Sequence, residues 1–570
     1  MLNFYDFEVF DYDWLVVIIN PMEQKIVGIH NNKDKLQEYY DAHKDQIWIG
    51  YNSRNYDQYI LKAILLDLNP KEVNDWIIVK DRKGWEFSST FNQVQLYNYD
   101  CANKFNSLKQ LEGFMGNNIK ETGVPFNIGR PLIPDEIAET FGYCQHDVEQ
   151  TMEVFMRTKQ EFDAQMALLK TFHLPLQNIG KTQAQLAAII LGAQKKDLFD
   201  EWEIRMPDTL HLTKYKFVAD WFLNKANDDY SKTLECDIAG VPHVVAWGGL
   251  HGAMNQYSYT CKDDELLIMA DVDQLYPTLM IRYKLLSRAV TNYDKFKHIL
   301  NESLRLKKLK MKKEREPYKR ICNITYGGEG DPTNPMYDPL HRNLVCVFGQ
   351  VLMIDLIEKI EGFCKLIQSN TDGILILIKE KDFDKLDDAV YQWEQRTGLH
   401  MSFDNYKKII QKDVNNYIAV DFEGHVKSKG AFVKKQSDLD YDMPIVNKAL
   451  VAYMVDGVPV EQTILLCDDL IEFQKIVKVS SKYICGWKGG QKLSDKTFRV
   501  FASKRETDSF IGKVKDKNGT WTVEKFANTP EHCFIWNDSV NGVPVPDYLD
   551  KQYYIDTAKK RLEQFGVIMR

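Results

Sequence analysis

Cysteine is sparse in this chain and nowhere paired. Its ten cysteines are scattered through 570 residues with no Cys-x-x-Cys and no paired histidine spacing, which argues against a zinc centre or a disulfide framework and leaves free, structural thiols. No uncharged apolar run is long enough to span a bilayer, and the first residues read as a charged strand instead of a signal peptide. The expectation is therefore a soluble, cytoplasmic protein with no membrane partner. Internal repeats and low-complexity linkers are also missing, and basic charge is not in excess, the formal net charge being −8. That total does not exclude binding to polyanions, because local patches matter more than the sum. With 44% hydrophobic residues, the chain can build about three to five domains with substantial cores.

What is present begins with an ordered bracket of charge. The run Leu266-Leu267-Ile268-Met269-Ala270 reads as a buried strand that delivers Asp271 at its end, and Asp271-Val-Asp-Gln-Leu-Tyr276-Pro277 then turns into a helix with Pro277 near its first position. Asp372 lies between two apolar strands joined through an Asp-Gly turn, which would hold it rigidly at a hairpin tip. Between them, Lys319, Asn323 and Tyr326 fall at helical offsets that share one face, and Gly327-Gly328 is expected to stop that helix. Segment 301–320 carries nine Lys and Arg against three Glu, concentrating positive charge where phosphates would enter. An isolated Asp-Gly is usually only a turn and an isolated basic helix only a solvated face. Their order points further, to nucleotidyl transfer on two magnesium ions, which favour carboxylates with phosphate and water oxygens.

The amino-terminal region carries a second acidic set. Strand alternation places Asp6 and Glu8 on one face and Tyr5, Phe7 and Val9 on the other, and a polar turn after Ile47-Trp48-Ile49-Gly50 can bring Asp57 near them. Tyr143 and Asp147 are four apart, so on a helix they share a face. Between the two sets stands Ala246-Trp247-Gly248-Gly249, where paired glycines permit close backbone approach to a ligand or form an ordinary tight turn. Farther on, 416–430 reads as a hairpin with Lys427 and Lys429 on one strand face, a pair suited to backbone phosphates.

The three segments around Asp271, Lys319 and Asp372 resemble motifs A, B and C of the family B DNA polymerases. Asp271-x-x-Gln-Leu-Tyr-Pro is similar to the family's Asp-x-x-Ser-Leu-Tyr-Pro, Lys319-x-x-x-Asn323-x-x-Tyr326-Gly327 to its Lys-x-x-x-Asn-Ser-x-Tyr-Gly, and Thr371-Asp372 to the centre of its Asp-Thr-Asp-Ser. Ile324, Asn370 and Gly373 depart from the pattern, as does Ala246 in a segment similar to the family's Tyr-x-Gly-Gly. The acidic set resembles the Exo I, II and III motifs of DnaQ-like 3′–5′ exonucleases, in the right order before the polymerase motifs.

The resemblance implies a role for each residue. Asp271, Val272 and Asp372 would hold two Mg2+ at the polymerase site, and Asp6, Glu8, Asp57 and Asp147 two more at the exonuclease site, with Mn2+ able to substitute. Lys319 with Arg305 or Lys308 would neutralise the triphosphate. Tyr276 would pack under the incoming sugar and reject a 2′-hydroxyl, with Asn323 and Tyr326 completing the nucleotide site. Tyr143 would help position the attacking water, and Lys120 stands where compact phage polymerases carry an exonuclease lysine. Asn52, Gly248, Gly249, Lys427 and Lys429 would contact DNA.

The implied fold is α/β, a mixed α+β multidomain chain with a ribonuclease H-like exonuclease followed by a right-hand polymerase. The expected division is exonuclease 1–170, a connecting region 171–255, palm 256–289 and 326–435, fingers 290–325 with Pro317 near the start of their second helix, and thumb 436–570. A terminal helix near Asp550 to Phe565 should bury Ile555, Ala558, Leu562 and Phe565 on one stripe. Only 48 positions separate Asp271 from Lys319 and 53 separate Lys319 from Asp372, leaving no room for the insertions of protein-primed phage polymerases. The expectation is a monomeric phage or prophage replicative polymerase in the host cytoplasm. It would use primer-template DNA and deoxynucleoside triphosphates, extend a 3′-hydroxyl, and rely on a helicase or single-strand-binding protein to displace strands. Two other readings stay open: a nuclease whose polymerase half has decayed into a DNA-holding scaffold, and a binding protein with both sites silent.

Overall fold

The strand expected at the amino terminus forms, Leu2–Val9 (β1), and its alternation has the expected consequence. Tyr5, Phe7 and Val9 enter a hydrophobic cluster with Val16, Ile18 and Trp48, while Asp6 and Glu8 face the other way. With Trp14–Asn20 (β2), Lys25–His30 (β3), Ile47–Gly50 (β4) and Tyr97–Asp100 (β5), it makes a five-stranded sheet of order β3-β2-β1-β4-β5. The β1–β2 and β2–β3 pairs are antiparallel, and β1–β4 and β4–β5 parallel. This computed structural model describes residues 1–103, 105–517 and 519–567. The chain is a mixed α/β protein divided into two compact units, the first containing Met1–Gly180, Gln436–Val446 and Glu461–Asp556, the second Lys181–Lys435, Asn447–Val460 and the segment from Thr557.

The second unit is built on a seven-stranded antiparallel sheet. Its strands are Leu234–Ile238 (β6), Val241–Val245 (β7), His251–Ala253 (β8), Glu265–Val272 (β10), Cys364–Asn370 (β11), Gly373–Lys379 (β12) and Met401–Tyr406 (β13), in the order β13-β10-β12-β11-β8-β7-β6. Residues expected as a connector thus supply three strands of the sheet that carries Asp271. Tyr257–Thr260 (β9), Lys408–Asp413 (β14), Asn416–Val420 (β15) and Val426–Lys429 (β16) form a second sheet of order β16-β15-β14-β9. The two share an apolar layer of Leu267, Met269 and Leu375 with Ile409, Tyr417 and Ala419. The helix Pro339–Ile360 is buried on nearly every side, including Val345, Phe348, Leu352 and Ile354, which is why it carries no amphipathic stripe.

The basic pair of helices is Tyr293–Lys308 and Lys312–Glu329, folded back on each other with Arg315 Nε donating to the Ser303 carbonyl at 3.1 Å. Two expectations are corrected here. The second helix does not stop at Gly327-Gly328 but runs to Glu329. A Cβ at Gly328 would lie 2.3 Å from Met336 Cε, so close packing overrides the low helix propensity of glycine. Pro317 sits at the sixth helical position and is buried, one turn further in than expected; there its ring removes a single early hydrogen bond.

The expected thumb segment is also divided differently. Lys475–Lys478 (β17), Cys485–Lys488 (β18), Gln491–Leu493 (β19), Thr497–Ala502 (β20), Ile511–Lys517 (β21), Thr520–Lys525 (β22) and Cys533–Ile535 (β23) form two small sheets, β17-β20-β23 and β19-β18-β21-β22. Both belong to the first unit. Arg499 shows why: fully buried, it donates to the carbonyls of Gly113 at 3.1 Å, Asn117 at 2.7 Å and Asp538 at 2.6 Å and to Gln474 Oε1 at 2.9 Å. Buried backbone carbonyls need such partners, and this one side chain stitches β20 to residues nearly 400 positions earlier. The terminal helix is Lys551–Gln564, and its stripe of Ile555, Ala558, Leu562 and Phe565 is buried as expected.

Candidate functional site

Two carboxylate clusters are assembled, one within each unit. In the first, β1 presents Asp6 and Glu8. Asp57 is the first residue of the helix Asp57–Leu65, is almost fully buried, and its Oδ1 accepts the Phe7 N–H at 3.1 Å. The helix Pro134–Arg157 supplies Tyr143 and Asp147 one turn apart.

The grouping of these acids shifts their titration. Burial pushes Asp6 well above the carboxylate range, and Asp57, Glu8 and Asp147 add to the effect. Glu8 is raised in the same way by burial and then by Asp147 and Asp57. Burial lifts Asp57 to about 7 against the hydrogen bond from Phe7, and Asp147 to about 6 against the pull of Lys109. Like charges confined in a low dielectric disfavour simultaneous ionisation, so the cluster calls for cations.

Lys109 is the cation that sequence reasoning missed. Its ammonium bonds Asp147, meets Glu112 Oε1 at 3.0 Å and lies 4.6 Å from the centre of the Tyr143 ring. Burial alone would lower its pKa, but Asp147 and Glu112 outweigh that and raise it. Lys120 is exposed and its Nζ reaches the Gly142 carbonyl at 3.5 Å, so the lysine placed on the acids is Lys109. Asn52 is exposed in a left-handed turn with φ of 61°, its N–H donating to Asp100 Oδ1 at 2.9 Å.

The second cluster stands at the end of β10. Asp271 pairs in register with Gly373, and the Val272 N–H donates to the Asp372 carbonyl at 2.7 Å. The turn is not the Asp-Gly expected: the two loop residues are Thr371, with φ of 53°, and Asp372, while Gly373 already belongs to β12. The glycine has a steric purpose. A Cβ there would lie 1.9 Å from Asp271 Oδ1, so any side chain at this position would have to displace that carboxylate.

Gly249 serves the same tip, since a Cβ on it would lie 2.2 Å from Thr371 Oγ1; it accommodates the protein's own hairpin. Gly248 has open space around it, and its carbonyl accepts from Gln350 Nε2 at 2.7 Å.

Burial raises Asp271, opposed by Lys427 and reinforced by Asp372, Asp404 and Asp273. Burial also raises Asp372, opposed by its own backbone N–H and by Lys429 and Lys427. Both lysines of β16 thus act on the carboxylates. Asp404, on β13 beside β10, was not foreseen.

Gln274, Leu275, Tyr276, Pro277, Asn323, Thr371 and Asp372 line a cleft of about 290 Å³, so residues of all three motifs meet. Tyr326 backs it, its ring 4.4 Å from that of Tyr276 and its hydroxyl 2.5 Å from Cys346 Sγ. Lys319 is exposed one turn before Asn323. Of the first basic helix, Lys307 is the residue at the site, pairing with Asp273. Arg305 is exposed and paired with Glu302 at 2.8 Å, and Lys308 is exposed.

Both donor sets suit a hard divalent cation such as magnesium or manganese, because their ligands are carboxylate oxygens. Cys144 falls in a group with Asp6 and Glu8 whose ligand atoms lie within 4.8 Å of one another. Its thiol is buried and pushed up, first by burial and then by Asp6, and it donates to the Asp6 carbonyl at 3.3 Å, so it offers no thiolate. Among the described residues, no helix is long and apolar enough to cross a membrane.

No protein-family model and no curated protein sequence matches this chain. Among solved structures, it is similar to the family B DNA polymerase of the hyperthermophilic archaeon Pyrobaculum calidifontis, at 14% identity over 100% of this chain and 78% of that one, with a TM-score of 0.44. A likeness at that level leaves the chemistry to be argued from the residues.

Proposed function

We propose that this chain is a DNA-directed DNA polymerase with a 3′–5′ proofreading exonuclease, of a compact phage or prophage type that extends a 3′-hydroxyl primer. The observation that carries the reading is the convergence of Asp372, Asn323 and Tyr276 on one cleft, with Asp271 against the same hairpin tip and a separate acidic cluster in the other unit. Asp271 and Asp372, with the Val272 carbonyl, hold the cations of synthesis; Asp6, Glu8, Asp57 and Asp147 hold those of digestion. Bound Mg2+ supplies charge neutralisation to a phosphate under attack.

The protein's own groups do the rest. Lys319 and Lys307 offset triphosphate charge, and Tyr276, braced by Tyr326, closes the floor of the cleft where a 2′-hydroxyl would project. Lys427 and Lys429 grip primer phosphates, and Lys109 holds Asp147 and Tyr143 in place for hydrolysis. In this reading the two basic helices act as fingers and the seven-stranded sheet as palm. A helicase or single-strand-binding protein assists, and the chain acts as a monomer.

Primer extension with magnesium and all four deoxynucleotides, run beside nucleotide-free digestion, tests both halves. Asp372→Ala should abolish extension and spare digestion, and Asp6→Ala with Asp57→Ala should do the reverse. Undiminished removal of single-stranded 3′ ends by the double variant would overturn the exonuclease assignment. A second reading, an exonuclease with a decayed polymerase half, is favoured by one observation, the neutral Asn370 where relatives of the motif carry an acid.

A further inference from the structure

Two neighbouring residues of the segment that carries Asp271 are already bound to the first basic helix. The Asp273 carboxylate pairs with the Lys307 ammonium, and Gln274 Oε1 accepts the Ser303 hydroxyl at 3.2 Å. Ser303 and Lys307 stand one turn apart on Tyr293–Lys308, so both contacts leave the same helix face. Both ends are anchored. The Asp273 N–H donates to the His400 carbonyl at 2.8 Å, and Ser303, fully buried, has its carbonyl taken by Arg315 Nε at 3.1 Å. The two ties therefore join the end of β10 to the helix pair.

One tie is held under strain. Gln274 has a left-handed backbone with φ of 50°, a region that residues with side chains rarely adopt unless their surroundings hold them there. Among the described residues, its Nε2 atom is buried without a hydrogen-bond partner. That donor belongs to a residue of the cleft wall, where a ligand oxygen would supply the acceptor it lacks. Lys307 is in the opposite position. Its side chain is 39% exposed and so open to a ligand, yet its charge is committed to a carboxylate.

A triphosphate that is to use Lys307 must take it from Asp273. We infer that Asp273 is a positioning residue that sets nucleotide affinity: with Gln274 it latches the first basic helix to the end of β10, and the incoming triphosphate binds by displacing its carboxylate from Lys307. Several negative charges against one decide that exchange for the triphosphate, and a phosphate oxygen satisfies Gln274 Nε2. The competing carboxylate lowers apparent affinity by the fraction of molecules in which the latch is open. The inference rests on the polymerase reading and adds to it a residue that touches neither the cations nor the nucleotide.

Single-turnover primer extension over a range of deoxynucleotide concentrations, at saturating magnesium, separates the maximal rate from the concentration that gives half of it. Asp273→Asn removes the charge and keeps the shape; it should lower the half-saturating concentration about fivefold, the upper range for one partly exposed ion pair, and change the maximal rate by less than about twofold. In a Lys307→Met background the same substitution should change the half-saturating concentration by less than about 1.5-fold, because the competition has lost its object. Ser303→Ala cuts the second tie without touching a charge and should lower the half-saturating concentration about twofold; it carries the test if thermal unfolding shows that Asp273→Asn is not folded. An unchanged or raised half-saturating concentration in the folded variant, or an equal effect with and without Lys307, would overturn the latch while native extension keeps the polymerase reading standing. A loss of maximal rate beyond about tenfold with a raised magnesium requirement would make Asp273 a cation ligand and overturn the latch as well. If the native protein does not extend primer-template DNA, the reading and the inference fall together.

Discussion

The two carboxylate clusters use the same side chain in opposite electrostatic settings. The first gathers Asp6, Glu8, Asp57 and Asp147 in a buried pocket, where each is raised by burial and its neighbours hold one another up; one lysine, Lys109, opposes them. The second places Asp271 and Asp372 at a strand end and an exposed tip, with Lys427 and Lys429 lowering what burial raises. A site with surplus buried negative charge is built around its cations, and its remaining lysine must be exactingly placed. A site balanced by surface lysines is built around a polyanion that brings charge of its own. In the proposed reading, hydrolysis of a strand end and synthesis from a triphosphate would differ in the same way.

If that contrast holds, Lys109→Met should cost digestion about 100-fold, the scale of a lost charge-positioning group, and leave extension unchanged. Lys120→Met should alter neither by more than about twofold, since its ammonium lies outside the acids. Single-turnover digestion of a labelled single strand measures both. Equal effects of the two lysines would remove the distinction between a placed and a solvated cation.

The next comparison concerns how each cluster is supported. The second grows from adjacent strands of one sheet, whereas the helix Leu108–Phe114 bearing Lys109 and Glu112 is tied to β20 through Arg499. Arg499→Met leaves several buried carbonyls unpaired and should destabilise the first unit by about 3 kcal/mol, lowering digestion more than extension. Thermal unfolding followed beside both activities checks it, and equal loss of the two would show that the support is shared.

The same difference in range decided what could be read from the sequence. Asp6, Glu8, Tyr143, Asp147 and Asp271 were legible because strand alternation and helical spacing act over a few residues. Lys109 was not: it meets Asp147 across 38 positions, with no local signal separating it from Lys120. Asp404 arrives on β13 through pairing with β10, and the small sheets between 475 and 535 join the first unit through contacts no spacing encodes. Lys307 was not legible either: it pairs with Asp273 across 34 positions, and nothing local separates it from Arg305 and Lys308. The glycines misled for another reason. Gly327 and Gly328 read as a stop, and Gly373 as a turn, because propensity is local, while Gly328 and Gly373 serve tertiary clearance and Gly327 faces open space.

Gly373→Ala tests that clearance. The added methyl must displace the Asp271 carboxylate, and a misplacement of that kind should lower extension about tenfold without touching digestion. Steady-state extension at saturating primer-template separates the outcomes, and unchanged kcat would mean that Asp271 does not need the position it occupies.

A small effect at Asn370 best tests whether the second cluster is complete. Asn370 pairs with Gly373, which pairs with Asp271, so the three lie in one row across the sheet, with the Asp271 carboxylate leaning over the glycine between them. A third carboxylate there would add like charge to a pair already raised by burial, and Lys427 and Lys429 are the lysines that offset it. If the cluster works as two acids balanced by those lysines, Asn370→Asp should change extension by no more than about threefold, with a modest shift in the magnesium concentration required. A gain of about 100-fold or more would mean that the native site lacks a ligand it needs, and the contrast between a metal-built and a polyanion-built cluster would give way to one between a working site and a decayed one.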